Sequence, residues 1–307
     1  MAKKEESKNS KKSVFSKVNF MGLDMTYEEA KAVIFPAPYS STSLTQGTLN
    51  GPSEILQNWN MEDYDLELNY SPCTARIYPL PERLYEGEKG LAQIHDVTRQ
   101  ILKDKKYPVV LGGDQTISLA TVKAASELYD DLSVVIFDAH TDMKDSFENK
   151  KDSNLCVTKR LLEMGVDVVQ IGTRSVGSEE LEEAEKTEAY CRVCDKEVSK
   201  IIKDLNHNVY VSIDVDAFDP SIMPATPMPE QWGLRWEEVT SPLRKIADRK
   251  HLVGCDITEL SPIPGFSAPT VMCAQLAYKA VGVRFRKQAE EEGWENCYEE
   301  IVNQNKR

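Results

Sequence analysis

The 307-residue chain is long enough to bury a large core in one α/β domain, and its composition is acidic. It has 37 Lys and Arg against 50 Asp and Glu, a formal net charge of -13. This charge argues against nucleic acid or an anionic membrane as the main partner and is compatible with a small cationic ligand. Seven widely spaced cysteines and an N-terminus without an apolar signal segment predict a cytoplasmic protein with reduced thiols.

Apolar, β-branched runs alternate with stretches of helical spacing along the chain. The charged residues 1–20 are expected to be a frayed lead, and residues 21–307 a single domain. Strands are predicted at residues 32–35, 109–111, 132–137, 166–171, 209–213 and 251–255. Helices are predicted at 94–105 and 178–188, and a polar outer helix at 287–307. Such alternation is typical of a mainly parallel sheet covered by helices on both faces.

The ends of two predicted strands carry clusters of acids. Asp138-Ala139-His140-Thr141-Asp142 follows the run 132–137, and Asp214-Val215-Asp216 follows the run 209–213. Ligands bind at the carboxyl ends of strands in open α/β sheets, so these side chains are expected to lie together. Carboxylates with one imidazole suit one divalent metal ion, or two that share carboxylates. The spacing of Cys191 and Cys194 is found in zinc and redox motifs, but without a matching second pair coincidence is favoured.

Together, the strand ends resemble the ureohydrolase superfamily, the arginases and agmatinases. The family's signatures correspond here to Gly-Gly-Asp-Gln-Thr at 112–116, Asp-Ala-His-Thr-Asp at 138–142, Ser-Ile-Asp-Val-Asp-Ala-Phe-Asp-Pro at 212–220 and Asp-Ile-Thr-Glu at 256–259. The similarity extends over roughly residues 30 to 285. It implies an arginase-like fold, a three-layer α/β/α sandwich with a mainly parallel central sheet, and a homo-oligomer, either a trimer or a hexamer.

The resemblance also implies a reaction and its residues. Gly-Thr-Arg-Ser-Val-Gly-Ser-Glu-Glu at 172–180 is similar to the agmatinase form, which favours hydrolysis of agmatine to putrescine and urea by a metal-bound hydroxide. In the family pattern Asp138 and Asp214 bridge two Mn²⁺ ions, and His140 and Asp216 complete the first. Asp142 is assigned as a ligand of the second metal with a catalytic role. Glu259 is assigned to guanidinium binding and catalysis, and Asn154 to substrate binding.

Two positions depart from the family pattern. Gln115 stands where the family has a histidine ligand, so it is either a weak ligand of the second metal or a loop residue beside an empty site. Cys156 or Leu155 stands where relatives carry a proton-shuttling histidine. Cys156 is therefore a doubtful proton shuttle, and a packed thiol is favoured. One of the two metal sites is accordingly expected to be weak or empty.

These departures leave two alternatives to an agmatinase. The protein could be a catalytically impaired relative that serves as a metal-binding or oligomeric partner. It could instead hydrolyse another guanidino or formimino compound, such as guanidinobutyrate or formiminoglutamate. A carboxylate-bearing substrate needs a cationic anchor, for which Lys144, Lys150 and Lys151 are candidates, although an exposed charged loop is preferred. The loop 224–229 lacks the family's glycines, so the cleft wall is expected to differ.

Overall fold

The protein is described from a computed structural model, which covers residues 18–20, 23–59, 64–185, 188–190 and 195–294. Residues 1–17 of the expected lead, the Cys191–Cys194 pair and residues 295–307 of the expected tail lie outside the described residues. Strand β1 (Val18–Phe20) pairs antiparallel with β2 (Leu23–Met25). The domain boundary expected at residue 20 therefore falls inside a small two-stranded sheet.

The central sheet has eight strands within the described residues, in the order β4-β3-β5-β10-β9-β6-β7-β8. Every pair in it is parallel. All six predicted strands are confirmed, whereas the three-residue edge strands β4 and β8 were not predicted. The strands are β3 Ala32–Ala37, β4 Ile77–Pro79, β5 Tyr107–Gly112, β6 Leu132–Phe137, β7 Asp167–Ile171, β8 Glu188–Tyr190, β9 Asn208–Asp214 and β10 His251–Thr258.

The helices confirm one helical prediction and correct another. Residues 94–103 belong to a long helix, but of 178–188 only four residues are helical and Glu188 already begins β8. That acidic stretch has no apolar stripe, and the short helix buries none of its side chains. The helices are α1 Gly51–Gln57, α2 Gly87–Lys103, α3 Ile117–Ser126, α4 Val157–Glu163, α5 Leu181–Ala184, α6 Asp195–Asp204, α7 Trp236–Arg249 and α8 Ala268–Glu292. Of the outer helix predicted at 287–307, residues 287–292 form the last part of α8, whose earlier turns are largely buried.

Alternate residues of the strands face opposite layers of helices. Val209 and Val211 of β9 pack into the core beneath α6, α7 and α8, whereas Tyr210 between them packs toward α3 and α4. Both faces of the sheet are therefore apolar, as a parallel sheet between two helical layers requires. The predicted α/β/α sandwich is confirmed. None of the described helices has the length and apolar character needed to cross a membrane.

Candidate metal and active site

Four adjacent central strands bring the predicted site together at their carboxyl ends. The order β5-β10-β9-β6 places the residues after these strands side by side, although they are far apart in the chain. Five carboxylates are almost wholly buried there, and His140 is partly buried among them. The carboxylates are Asp138, Asp142, Asp214, Asp216 and Glu259.

The backbone at two of these residues has a conformation that L-residues seldom adopt. Asp142 and Glu259 have φ of 51° and 65°, in the left-handed region. Such strained residues persist where the surrounding structure holds them, and they concentrate at functional sites. Glu259 is held because its backbone N–H donates to the carbonyl of Gly113 at 2.7 Å.

Gly113, directly after β5, allows a close approach of two backbone segments. A Cβ atom on Gly113 would lie 2.0 Å from the carbonyl oxygen of Tyr39. Next to it, the fully buried Asp114 accepts hydrogen bonds from the Ser41 hydroxyl at 2.7 Å and from the Thr45 hydroxyl at 2.9 Å. Asp114 therefore anchors the loop after β3 and does not face the cavity.

Asp138, His140 and Asp216 form a group able to hold a divalent metal ion, because one ligand atom from each lies within 4.8 Å of the others. The imidazole Nδ1 of His140 lies 2.8 Å from Asp216 Oδ2 and 3.6 Å from Asp138 Oδ1. Backbone donors orient both carboxylates: His140 N–H donates to Asp138 Oδ1 at 2.7 Å, and Ala139 N–H to Asp216 Oδ1 at 2.9 Å. The strand end thus presents a preformed set of hard oxygen ligands and one imidazole.

The electrostatics of the cluster favour a bound cation. Burial, followed by repulsion from Asp216, raises the pKa of Asp138 to about 6. Burial also raises the pKa values of Asp142, Asp214 and Glu259 well above the usual range, and neighbouring carboxylates add to the effect. Burial alone would lower the pKa of His140, but contacts with Asp138 and Asp216 outweigh it and raise that pKa to about 12. The negative charge concentrated here is what a divalent cation would neutralise.

Gln115 reaches the cluster with one end of its side-chain amide. Its Nε2 donates to Asp138 Oδ2 at 2.6 Å, and its backbone N–H donates to Glu259 Oε1 at 3.1 Å. The residue is fully buried, and its amide oxygen Oε1 has no hydrogen-bond partner among the described residues. Gln115 therefore contacts Asp138 of this candidate metal group and also presents an unsatisfied acceptor beside it.

A small cavity opens above the cluster and has several of the predicted residues in its walls. Asp142, Asn154, Asp214 and Glu259 line it, together with His140, Asp216, Thr226 and Met228. Asn154 is fixed by its Oδ1, which accepts from the Thr42 hydroxyl at 3.2 Å. Cys156 is not among the lining residues; its thiol accepts from the Ser153 hydroxyl at 3.2 Å, and burial raises its pKa. These surroundings are those of a packed thiol.

Two of the three lysines considered as substrate anchors bind groups on other loops. Lys144 Nζ pairs with Glu179 at 3.2 Å, and Lys150 Nζ donates to the carbonyl of Ser41. Neither lines the cavity above the acids. The expectation of a charged loop in this segment therefore agrees with the contacts of both residues.

Sequence reasoning missed the structural role of Arg174. Its guanidinium donates to the carbonyl oxygens of Gly172, Asp216, Ala217, Phe218, Glu230 and Gln231, at 2.8 to 3.4 Å. Arg174 thus joins the ends of β7 and β9 to the loop that carries Met228. Glu230 on that loop lies 3.7 Å from His140 Nε2. The family-like segment 172–175 contained the residue, but its partners lie on other loops and depend on the fold.

Known proteins share this arrangement along most of the chain. The model of the arginase family matches residues 30–282. N(1)-aminopropylagmatine ureohydrolase from Synechocystis sp. is 32% identical over 275 residues, 84% of this chain and 90% of the relative. Agmatinase from Pyrococcus horikoshii is 30% identical over 270 residues, 84% of this chain and 94% of the relative. The crystal structure of agmatine ureohydrolase from Thermoplasma volcanium has a TM-score of 0.80 at 28% identity, with 91% of this chain and 98% of that chain covered. With its β-strand order, buried acids and this breadth of similarity, the chain belongs to the arginase family.

Proposed function

We propose that the protein hydrolyses the guanidinium group of agmatine to give putrescine and urea. Water adds to the guanidino carbon, the bond from that carbon to the alkyl nitrogen breaks, and the departing amine takes a proton. The observation that carries this proposal is the buried group of five carboxylates and His140 beneath the cavity. A cationic substrate suits such an acidic cavity.

The proposal includes two Mn²⁺ ions, one bound more weakly than the other. His140 and Asp216 would hold the tighter ion, Asp142 and Gln115 would hold the weaker one, and Asp138 and Asp214 would serve both. The unpartnered Oε1 of Gln115 supports the weaker site, because a buried acceptor without a donor is satisfied by a cation. When bound, divalent ions lower the pKa of coordinated water and so supply the nucleophile.

The remaining residues bind and orient the substrate. Glu259 would accept N–H donors of the planar guanidinium, for which a carboxylate is a matching partner. Its own position is set by the Gln115 N–H at 3.1 Å and by the link from its backbone to Gly113. Asn154 and Asp142 line the same cavity. We assign substrate contact to Asn154, and transfer of a proton toward the departing amine to the Asp142 carboxylate, since Cys156 does not line that cavity.

A second candidate substrate is N(1)-aminopropylagmatine, which carries an additional amine. It is favoured because four similar relatives of 29% to 32% identity carry the name N(1)-aminopropylagmatine ureohydrolase. The guanidinium chemistry is the same for both substrates, so the two differ in how the amine end is held.

The test measures urea release by purified protein supplied with Mn²⁺. Agmatine, N(1)-aminopropylagmatine, arginine and guanidinobutyrate are compared at matched concentrations, with Asp138→Ala as the inactive control. Release from agmatine with the highest kcat/KM supports the first proposal, and a higher value for N(1)-aminopropylagmatine supports the second. If folded, Mn²⁺-bound protein releases urea from none of the four substrates, the non-catalytic alternative is supported.

We further propose that the enzyme works in the cytoplasm as a homo-oligomer. Four cysteines of the described residues are free and buried, which fits a reducing compartment. The trimer or hexamer implied by the family resemblance is tested by light scattering on the eluting protein. A monomer at micromolar concentration would contradict this part of the proposal.

A further inference from the structure

A second cavity, of about 250 Å³, lies at the end of the sheet opposite the carboxyl ends of the strands, where the acids lie. It opens at the amino ends of β5 and β10, where Lys105, Tyr107 and His251 meet Arg284 and Phe285 of α8. At roughly 3.3 Å per residue, the length of β10 separates this cavity from Glu259 by about 25 Å. The cavity is therefore distinct from the proposed active site.

Arg284 stands in this cavity without a carboxylate partner among the described residues. Its Nη2 lies 3.4 Å from His251 Nε2, its guanidinium carbon lies 5.0 Å from the ring centre of Phe285, and its Nε is buried without a hydrogen-bond partner. Arg286, two residues further along α8, pairs instead with Asp248 at 2.6 Å. Arg284 is half-buried, and burial lowers the pKa of its guanidinium from the usual value. A partly buried charge without a partner costs free energy.

His251 does not neutralise the positive charge of Arg284. Its Nδ1 lies 2.8 Å from Asn208 Oδ1, so Nδ1 is the donor and Nε2 is left to accept from Arg284. Burial, then the charge of Arg284, lowers the pKa of His251 and keeps the ring neutral. Asp131, the acid that opposes this shift, itself accepts from the Asn208 amide. The cavity consequently keeps the full positive charge of Arg284.

Further donors line the cavity. Tyr107 belongs to the wall of the cavity, but its hydroxyl oxygen is buried and interacts with the Cys255 thiol, so we count no donor from it. Lys105 is exposed, and the described residues offer it no ion pair. The Nζ of Lys106 donates to the Ala30 carbonyl at 2.6 Å and adds only its charge. The guanidinium of Arg284 and the ammonium-bearing side chain of Lys105 thus line one space, and a ligand that accepts hydrogen bonds would satisfy them.

We propose that this cavity binds a small oxyanion of the phosphate or carboxylate class, with Arg284 as its main ligand and Lys105 as an additional donor. The planar guanidinium presents parallel N–H groups that match two oxygens of such an anion. The anion supplies the charge that Arg284 lacks. This site is independent of the proposed reaction, so either can fail without the other.

The experiment uses the full-length protein in metal-free buffer. Sodium phosphate and sodium citrate are titrated separately by calorimetry, with sodium chloride at matched ionic strength as the reference. Arg284→Met keeps the aliphatic stem and removes the guanidinium, and Arg286→Met on the same helix is the matched control. We expect saturable binding of phosphate or citrate by the wild type and by Arg286→Met. Arg284→Met should lose at least about tenfold in affinity, as removal of a charge-assisted hydrogen bond predicts. Phosphate and citrate distinguish a tetrahedral anion from a carboxylate.

Two further readouts keep the test decisive. Without anion, Arg284→Met should melt at or above the wild-type temperature, because it removes a partly buried charge that has no carboxylate partner among the described residues. If that variant does not fold, Lys105→Met removes an exposed ammonium from the cavity wall, and it should weaken anion binding severalfold without loss of stability. Wild-type protein that shows no saturable binding beyond chloride would overturn the proposal. Equal anion affinity of the wild type and the folded Arg284 variant, or of the wild type and Lys105→Met if the Arg284 variant does not fold, would do the same.

Discussion

The substitution Asp214→Asn tests whether the buried acids are built for a cation. Asp214 lies among four other buried carboxylates, and its Oδ1 accepts the Asp216 N–H at 2.9 Å. Asparagine keeps the size of the side chain and this acceptor but removes one negative charge. The metal-free protein should therefore gain stability, while binding of Mn²⁺ should be lost.

The size of the effect follows from linkage. Mn²⁺ at 100 times its Kd stabilises the folded state by about 2.7 kcal/mol. For a chain of this size each kcal/mol moves the melting temperature by about 2 °C, so the wild type should gain about 5 °C. If removal of one carboxylate lowers affinity by about 100-fold, the same Mn²⁺ concentration contributes only about 0.4 kcal/mol, less than about 1 °C.

The assay is a thermal melt with and without Mn²⁺, paired with calorimetric titration. Asp219→Asn is the control on the same loop, because Asp219 accepts from Ser221 N–H at 3.0 Å and Gly233 N–H at 2.9 Å away from the cluster. That variant should keep the Mn²⁺ shift. An undiminished Mn²⁺ shift in Asp214→Asn would refute the assignment. A lower melting temperature of its metal-free form would contradict the argument from charge repulsion.

Three other substitutions test separate parts of the site. Asp256 is fully buried, accepts from Ser118, Thr121 and Ser212, and has its pKa raised from 3.8 to about 6, chiefly by burial. A raised pKa means that the folded state holds the proton more tightly, so wild-type stability falls as the pH rises through this range. Asp256→Asn should therefore gain on the order of 1 kcal/mol relative to wild type between pH 5 and pH 8 in urea unfolding, and a constant difference would contradict the shift. Gln115→His supplies an imidazole in place of an amide and should tighten the weaker Mn²⁺ site in a calorimetric titration; an unchanged titration would count against placing Gln115 there. Glu259→Gln should lower kcat/KM for urea release by about 100-fold while Mn²⁺ binding stays intact, since it removes the charged acceptor of the guanidinium; wild-type turnover would exclude that role.

The strands of the central sheet, and the acidic residues that follow them, could be predicted from the sequence. Runs such as 132–137 are largely apolar at successive positions, which is expected of a strand covered by helices on both faces. The acids directly after such strands are therefore expected together at the carboxyl ends of the sheet. The three-residue strands β4 and β8 carried too little pattern to predict. The helix predicted at 178–188 was wrong because helical composition does not form a helix without an apolar face to bury.

The amino-acid sequence by itself determined which residues form buried strands and which carboxylates follow them, because the spacing of apolar residues reflects which side chains are buried. Only the tertiary structure decided that β10, the last strand, lies between β5 and β9 and so sets Glu259 beside Asp214 and Gln115. The same packing brought six carbonyl oxygens to Arg174 and, among the described residues, left Arg284 without a carboxylate partner at the amino ends of the strands. Such contacts join segments that are distant along the chain, and their partners exist only once strand order and helix packing are established.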